Sequence, residues 1–268
     1  MVPDGMTYRE GVPDMTRQYL QFLDTHDSRA TFFIMGKVAL QYPDLVAEIQ
    51  ERGHEVACHS HSHLPLEKLG EDGFRKDLED NLEALAKAGA DQPRGYRAPT
   101  FSLTSETQWA YSILREYGII YSSSVLPASN PLYGWPDFGF TPRVISGVTE
   151  IPVTVSEFPL LRVPFAGGIY LRVIPSFLTR IWCRQNLKKN MPVVSYLHPY
   201  DIDHNQERFM HPGINGNRIY NWLMYVNRKT VLAKLDGILD LGYCILPYYE
   251  YANSLPAITD TEHTADIV

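Results

Sequence analysis

Cysteine is scarce: the 268 residues contain three, Cys58, Cys183 and Cys244. An odd number without close, regular spacing excludes a small disulfide scaffold and predicts reduced thiols in a cytoplasmic setting. Runs of lysine and arginine are absent, and a formal net charge of -7 with a pI near 5.7 gives no attraction for phosphate backbones, so nucleic acid is excluded as a partner. No apolar stretch reaches the roughly 18 to 20 residues that cross a bilayer, and the N-terminus lacks a basic segment leading into an apolar run. Neither a membrane-spanning segment nor a signal peptide is expected. Repeats, low-complexity tracts and breaks in composition are also missing, which predicts one domain over residues 1–268.

What is present is a 44% hydrophobic chain in which amphipathic helical segments alternate with short apolar strands. The pattern predicts a helix over residues 12–27, a strand over 30–36, a helix through Leu45 and Ile49 ending at Gly53, and a strand over 54–58. A helix over 73–88 with Leu78, Leu82 and Leu85 in register follows, then a helix capped by Thr104 or Ser105 and a strand over 119–124. Residues 126–147, rich in proline, glycine and aromatics, read as a long loop. Further on come a helix over 175–188, a buried strand over 191–197 and a helix over 231–241. Strand, loop and helix in repetition imply an α/β fold with a mainly parallel sheet, whose active site lies beyond the C-terminal ends of the strands. His59–His63, Arg97–Phe101 and His198–Asp201 each follow a predicted strand, and they point to one pocket.

The segment Cys58-His-Ser-His-Ser-His63 holds three imidazoles in five positions. Neutral imidazole is a good ligand for zinc and related divalent ions, and two separated by three residues reach one ion from a turn, which selects His59 and His63 and sends His61 elsewhere. A rival pairing, His59 with His61, matches the metal motif of barrel amidohydrolases, although that motif belongs on a first strand. Pro99 fixes the backbone just after Arg97 and predicts a preorganised arm. Tyr133, Trp135 and Phe138 in the long loop are candidates for stacking on sugar faces. His211-Pro212 reads as structural.

Ala30-Thr-Phe-Phe33, Gly53-His-Glu-Val56, the His59/His63 pair, Arg97-Ala-Pro-Thr-Phe101 and Leu197-His-Pro199 occur in an order and spacing that resemble the polysaccharide deacetylases of carbohydrate esterase family four. The resemblance implies a distorted (β/α) barrel with fewer than eight complete units and a divalent metal, zinc first, with cobalt, nickel or manganese as alternatives. It implies a hydrolase that removes acetyl groups from N-acetylated sugars of a polymer or glycolipid. Within the family it places His59 and His63 among the metal ligands, makes Arg97 the residue that orients the catalytic carboxylate, and makes His198 the acid that protonates the leaving amine. The region from Arg162 onward looks more like deacetylases of exopolysaccharide and O-antigen gene clusters, hence of polysaccharide biosynthesis, than chitin deacetylases.

Two departures matter. The family's first motif ends in two aspartates and a glycine, one of them the catalytic base, whereas here only Met1-Val-Pro-Asp-Gly5 stands in that place. Either Asp4 is the third metal ligand and the base is lost, or the chain begins after the motif and lacks the first strand. The first case makes a catalytically impaired carbohydrate-binding protein the competing reading. The second departure is Ser122, where related sequences often carry an aspartate after the tyrosine; Asp201 or Asp203 is expected to tune His198 instead.

Overall fold

The computed structural model describes residues 11–130, 133–157, 162–210 and 216–256. The chain divides into two compact units, one made of residues 28–162 with 245–268, the other of residues 1–27 with 163–244.

The first unit is built on a six-stranded sheet. Its strands are β1 (Thr31–Ile34), β2 (Glu55–Cys58), β3 (Gly95–Tyr96), β4 (Tyr121–Ser122), β5 (Arg143–Ile145) and β6 (Val148–Glu150), in the order β1-β2-β3-β4-β6-β5. The neighbours from β1 to β6 run parallel, and β5 is antiparallel to β6. With β1 and β2 reading Thr-Phe-Phe-Ile and Glu-Val-Ala-Cys, the strands lack the polar alternation of a one-sided sheet, as expected of parallel strands covered by helices. The helices α2 (Gly36–Gln41), α3 (Pro43–Glu51), α4 (Leu66–Lys87), α5 (Trp109–Glu116) and α10 (Tyr248–Ser254) belong to this unit. Leu45, Ile49, Phe74, Leu78, Leu85, Tyr111 and Leu114 are buried from the helices and Val56, Ala57, Tyr96 and Tyr121 from the strands. Each such large apolar side chain contributes about 1.5–3 kcal/mol on leaving water.

Three local features differ from expectation. Gly70, at φ 63° and ψ -177°, breaks α4 after its first turn, so the main helix begins close to the predicted Gly73. The predicted cap at Thr104 or Ser105 is corrected: α5 starts at Trp109 after Gln108. The Thr107 hydroxyl donates to the Ser102 carbonyl and accepts from Thr104 N, so hydroxyl-to-backbone bonds organise a turn that competes with helix there. The long loop also ends earlier than read, because Ser146 (φ 48°) and Gly147 (φ 73°) form a two-residue turn with both residues left-handed, closing the β5–β6 hairpin.

The second unit contains α1 (Gly11–Thr25), α6 (Gly168–Val173), α7 (Ser176–Lys188), α8 (Arg218–Leu223) and α9 (Val231–Leu239). Met15, Phe165, Leu171, Cys183, Ile202, Val231 and Ile238 form its core, with Tyr19, Trp182, Leu197 and Tyr243 packed on it. The predicted buried strand over 191–197 is corrected: no strand is assigned there among the described residues, and most of the segment is half-buried. Pro192 has no N–H to give a ladder, and Tyr196 spends its carbonyl on Gly168 N at 2.8 Å. All three cysteines are free thiols, Cys58 and Cys183 buried and Cys244 exposed. Among the described residues no helix is long and apolar enough to cross a membrane. The class is α/β with a parallel sheet, as the alternation predicted.

Candidate active site

Ladder register brings one row of residues together at the C-terminal ends of the strands: Ile34 beside Cys58, Cys58 beside Tyr96, Tyr96 beside Ser122 and Ser122 beside Glu150. The next residues, His59, Arg97 and Ser123, therefore leave the sheet side by side. His59 N bonds the Ile34 carbonyl and Arg97 N the Cys58 carbonyl, at 3.2 and 2.9 Å.

His59 Nδ1 lies 2.8 Å from the carbonyl oxygen of Arg97. A carbonyl only accepts, so the bond puts the proton on Nδ1 and leaves the lone pair of the neutral ring on Nε2, the arrangement that metal-bound imidazoles adopt. The His63 ring stands edge-on to it, with centroids 5.1 Å apart and planes at 79°. Two imidazoles holding one tetrahedral ion at about 2.0–2.1 Å have centroids roughly 5 Å apart, so the pair fits a divalent metal. His61 does not share this arrangement. Its Nδ1 is buried against Gly36, where an added Cβ would stand 2.3 Å away, so that nitrogen is turned into the protein and not toward an ion beside His59. Among the described residues no group of three His, Cys, Asp or Glu side chains converges on a metal position. Asp4, the expected third ligand, lies outside the described residues, as do His211 and Pro212.

The turn carrying the histidines is held from α4. Asp77 accepts from His61 N and Ser62 N, both at 2.9 Å, and from Ser62 Oγ at 2.6 Å. Asn81, one helical turn on, donates to the carbonyls of Ser60 and Ile34 at 2.8 and 3.1 Å. These bonds hold Ser60 (φ 66°) and His63 (φ 59°) in the left-handed region that non-glycine residues seldom occupy. Burial opposes the charge on Asp77, but hydrogen bonds from Ser60, Ser62 and His61 outweigh it and keep the carboxyl below its ordinary range. The sequence reading missed both residues. The available signal was an acid and an amide on the buried face of α4, between Phe74, Leu78 and Leu85.

Arg97 is buried. Its Nε donates to the Ser123 carbonyl at 2.9 Å, and its Nη2 to Ser123 Oγ and Tyr248 Oη at 2.9 and 2.6 Å, with the Phe33 ring 4.3 Å beneath the guanidinium. Among the described residues no carboxylate pairs with it. Behind this arm stands Glu150, also missed. It accepts from Ser124 N and Val125 N at 2.7 and 2.9 Å, while Ser124 Oγ takes the Ala98 N–H at 2.8 Å. The position of Ser122, which carries no charge, is thus flanked on the next strand by a carboxyl. Burial raises the Glu150 pKa against the lowering effect of Ser122, Ser124, Val125 and Tyr111. An acid ending the apolar strand Val-Thr-Glu was the signal for it.

In the long loop, Trp135 and Phe138 pack edge to face at 5.0 Å. Phe138 is fully buried beneath the Arg143 guanidinium, so it serves the core of the loop and is withdrawn as a stacking surface. Tyr133 and Trp135 are half-buried.

In the second unit His198 Nδ1 is 3.1 Å from Asp201 Oδ2, and the same oxygen accepts His198 N at 2.8 Å. Asp201 Oδ1 pairs with Arg172 Nε at 2.9 Å, with both side chains fully buried. Tyr200 stacks on the imidazole at 4.7 Å, and Tyr19 Oη donates to the His198 carbonyl at 3.2 Å. Asp203, by contrast, packs its carboxylate against Gly11 and gives its carbonyl to Arg228.

Residues 4–119 match the family model of the polysaccharide deacetylases, and residues 123–243 match a model for a domain of unknown function, DUF3473. Over 109 residues the chain is 32% identical to the peptidoglycan-N-acetylglucosamine deacetylase of Bacillus cereus, a match covering 40% of this chain and 39% of that protein. It therefore spans about two-fifths of the length of that relative. A solved structure from Mycobacterium smegmatis assigned to the polysaccharide deacetylases superimposes with a TM-score of 0.61 at 22% identity, over 93% of this chain and 79% of that one. A carbohydrate esterase family four pseudoenzyme from Bacillus anthracis gives 0.51 at 16% identity, over 90% and 61%. Both likenesses show the fold, which is the distorted barrel architecture of these deacetylases. Over residues 4–119, somewhat under half of its length, the chain is thus similar to the polysaccharide deacetylases.

Proposed function

We propose that this protein is a divalent-metal-dependent hydrolase that removes N-acetyl groups from amino sugars of a cell-envelope polysaccharide, glycolipid or glycan precursor. The observation that carries this reading is the imidazole pair, 5.1 Å apart, with the His59 tautomer set by the Arg97 carbonyl. The match of residues 4–119 to the polysaccharide deacetylase model and the likeness to the Bacillus cereus protein, named for deacetylating peptidoglycan N-acetylglucosamine, support the reaction class. His59 and His63 would hold the ion, zinc by preference for neutral imidazole, with Asp4 as third ligand. When bound, such an ion supplies an acidified water and polarises the acetyl carbonyl. Arg97, fixed by Ser123 and Tyr248, is the arm that would orient a carboxylate base, a base that Met1-Val-Pro-Asp-Gly5 does not supply where Asp4 is the metal ligand. His198 is the general acid: Asp201 takes its Nδ1 proton in a hydrogen bond, which fixes the ring and leaves Nε2 as the nitrogen that would serve the departing amine. Tyr133 and Trp135 flank the sugar.

A second reading, a glycan-binding protein without turnover, is favoured by the lack of a third metal ligand among the described residues, and the Bacillus anthracis pseudoenzyme shares the fold. Metal content and deacetylation separate the two. The enzyme reading expects about one zinc per chain, lost in the His59→Ala/His63→Ala variant, and acetate release from N-acetylglucosamine oligomers or peptidoglycan that falls with the metal. Glycan binding without metal uptake or acetate release would sink it in favour of the second reading.

A further inference from the structure

The second unit carries a surface that the hydrolase reading does not use. Between Glu157 and Asp201 the sequence contains no acidic residue, although the whole chain has a net charge of -7. The helix α7 lies inside this stretch, with Arg180, Arg184 and Lys188 on it and Lys189 closing it. Its inner face is the one expected of a core helix: Thr179 and Cys183 are buried, Trp182 packs on Phe165 at 5.4 Å, and Tyr243 Oη bonds the Cys183 carbonyl at 2.8 Å.

Its outer face is not what a solvated helix carries. Phe177, Ile181, Arg184 and Lys188 fall at spacings of four, three and four, which is one stripe. Phe177 is 63% exposed and Ile181 42%, with Leu187 at 39% on the flank. Among the described residues neither Arg184 nor Lys188 has an acidic partner. Elsewhere in this unit α8 exposes Trp222 and Tyr220 beside Arg218, aromatics of the kind that settle at headgroup level.

We infer that the outer face of α7 docks on an anionic lipid surface, with Phe177 and Ile181 entering the headgroup and acyl boundary and Arg184 and Lys188 meeting the lipid phosphates. The combination decides the occupant. Apolar side chains alone would suit a protein partner, and basic residues alone a soluble polyanion, but a stripe of both on an otherwise packed helix is the pattern of an interfacial helix. This surface is independent of the hydrolase reading and stands or falls without it.

The test is co-sedimentation of the full chain with vesicles of phosphatidylcholine alone and of an equimolar mixture with phosphatidylglycerol. Binding is expected only to the anionic vesicles and is expected to disappear at about 1 M salt, where screening shortens the reach of charge to a few Å. Arg184→Glu/Lys188→Glu should weaken the partition by more than about 25-fold, taking roughly fivefold per basic residue. Phe177→Ser/Ile181→Ser, at exposed positions where folding is insensitive, should weaken it while leaving the thermal unfolding midpoint in place. Absence of binding to anionic vesicles at low salt overturns the inference, and so does equal binding by either variant. Retention on a soluble acidic polysaccharide without vesicle binding would also overturn it and would make the occupant a glycan.

Discussion

Asp77 is the most informative residue to perturb, because one carboxylate holds the turn that carries the whole histidine cluster. Besides the Ser60 side chain, it accepts hydrogen bonds from the backbone N–H groups of His61 and Ser62 and from the Ser62 hydroxyl. Bonds to a charged acceptor contribute about 1.5–3 kcal/mol each, and donors left unsatisfied add to the loss. Taking the lower value for the backbone donors and less for the hydroxyl, Asp77→Ala should destabilise the protein by about 3–5 kcal/mol. For a protein of this size that lowers the melting temperature by roughly 6–20 °C. Asp77→Asn keeps the shape but turns an NH2 group toward one of the donors, so about half the loss is expected. Since the folded protein holds the Asp77 carboxyl below its ordinary range, its contribution is complete above the unfolded pKa of about 3.9 and is lost as pH falls through the lower folded value. Urea unfolding at neutral and acid pH measures both effects. In addition, zinc titration of the folded variant should show affinity reduced by about 10–100-fold, the usual effect of loosening the residues behind a metal ligand. An Asp77→Ala protein within about 1 kcal/mol of wild type at pH 7, or an Asp77→Asn protein with the wild-type acid dependence, would refute the assignment.

Glu150 and Arg172 give predictions of opposite sign. Burial raises the pKa of Glu150, so the folded state binds its proton more tightly than the unfolded chain does. Stability from this group therefore falls as pH rises from about 4.3 through the folded value, and Glu150→Gln should remove that fall in pH-dependent urea unfolding. In the second unit, Arg172→Met strands Asp201 as a buried charge and should destabilise by about 3–5 kcal/mol in urea unfolding followed by tryptophan fluorescence. The double variant Arg172→Met/Asp201→Asn should recover part of that loss; if it is no more stable than the single one, the ion pair is not what holds Asp201.

Sequence patterns of short range determined much of this protein. The apolar spacing of α1, α7 and α9 marks them because a helix repeats its buried face every three to four residues. The strands β1 and β2 are legible as apolar runs, and His59 and His63 stand out because three imidazoles fall within five consecutive positions. The tertiary structure alone decided the rest. Asp77 meets residues 15 and 16 positions away and Asn81 reaches Ile34 across 47, so no local period reports their role. Glu150 stands beside Ser122 only because β6 pairs with β4, and that choice depends on strand order in the sheet. Residues 191–197 have the composition of a strand, yet strand formation requires a ladder partner as well as composition, and a proline and a carbonyl already committed to Gly168 stand in the way. Which nitrogen of His59 carries the proton is likewise written in the position of a carbonyl 38 residues later, set by the alignment of β2 with β3.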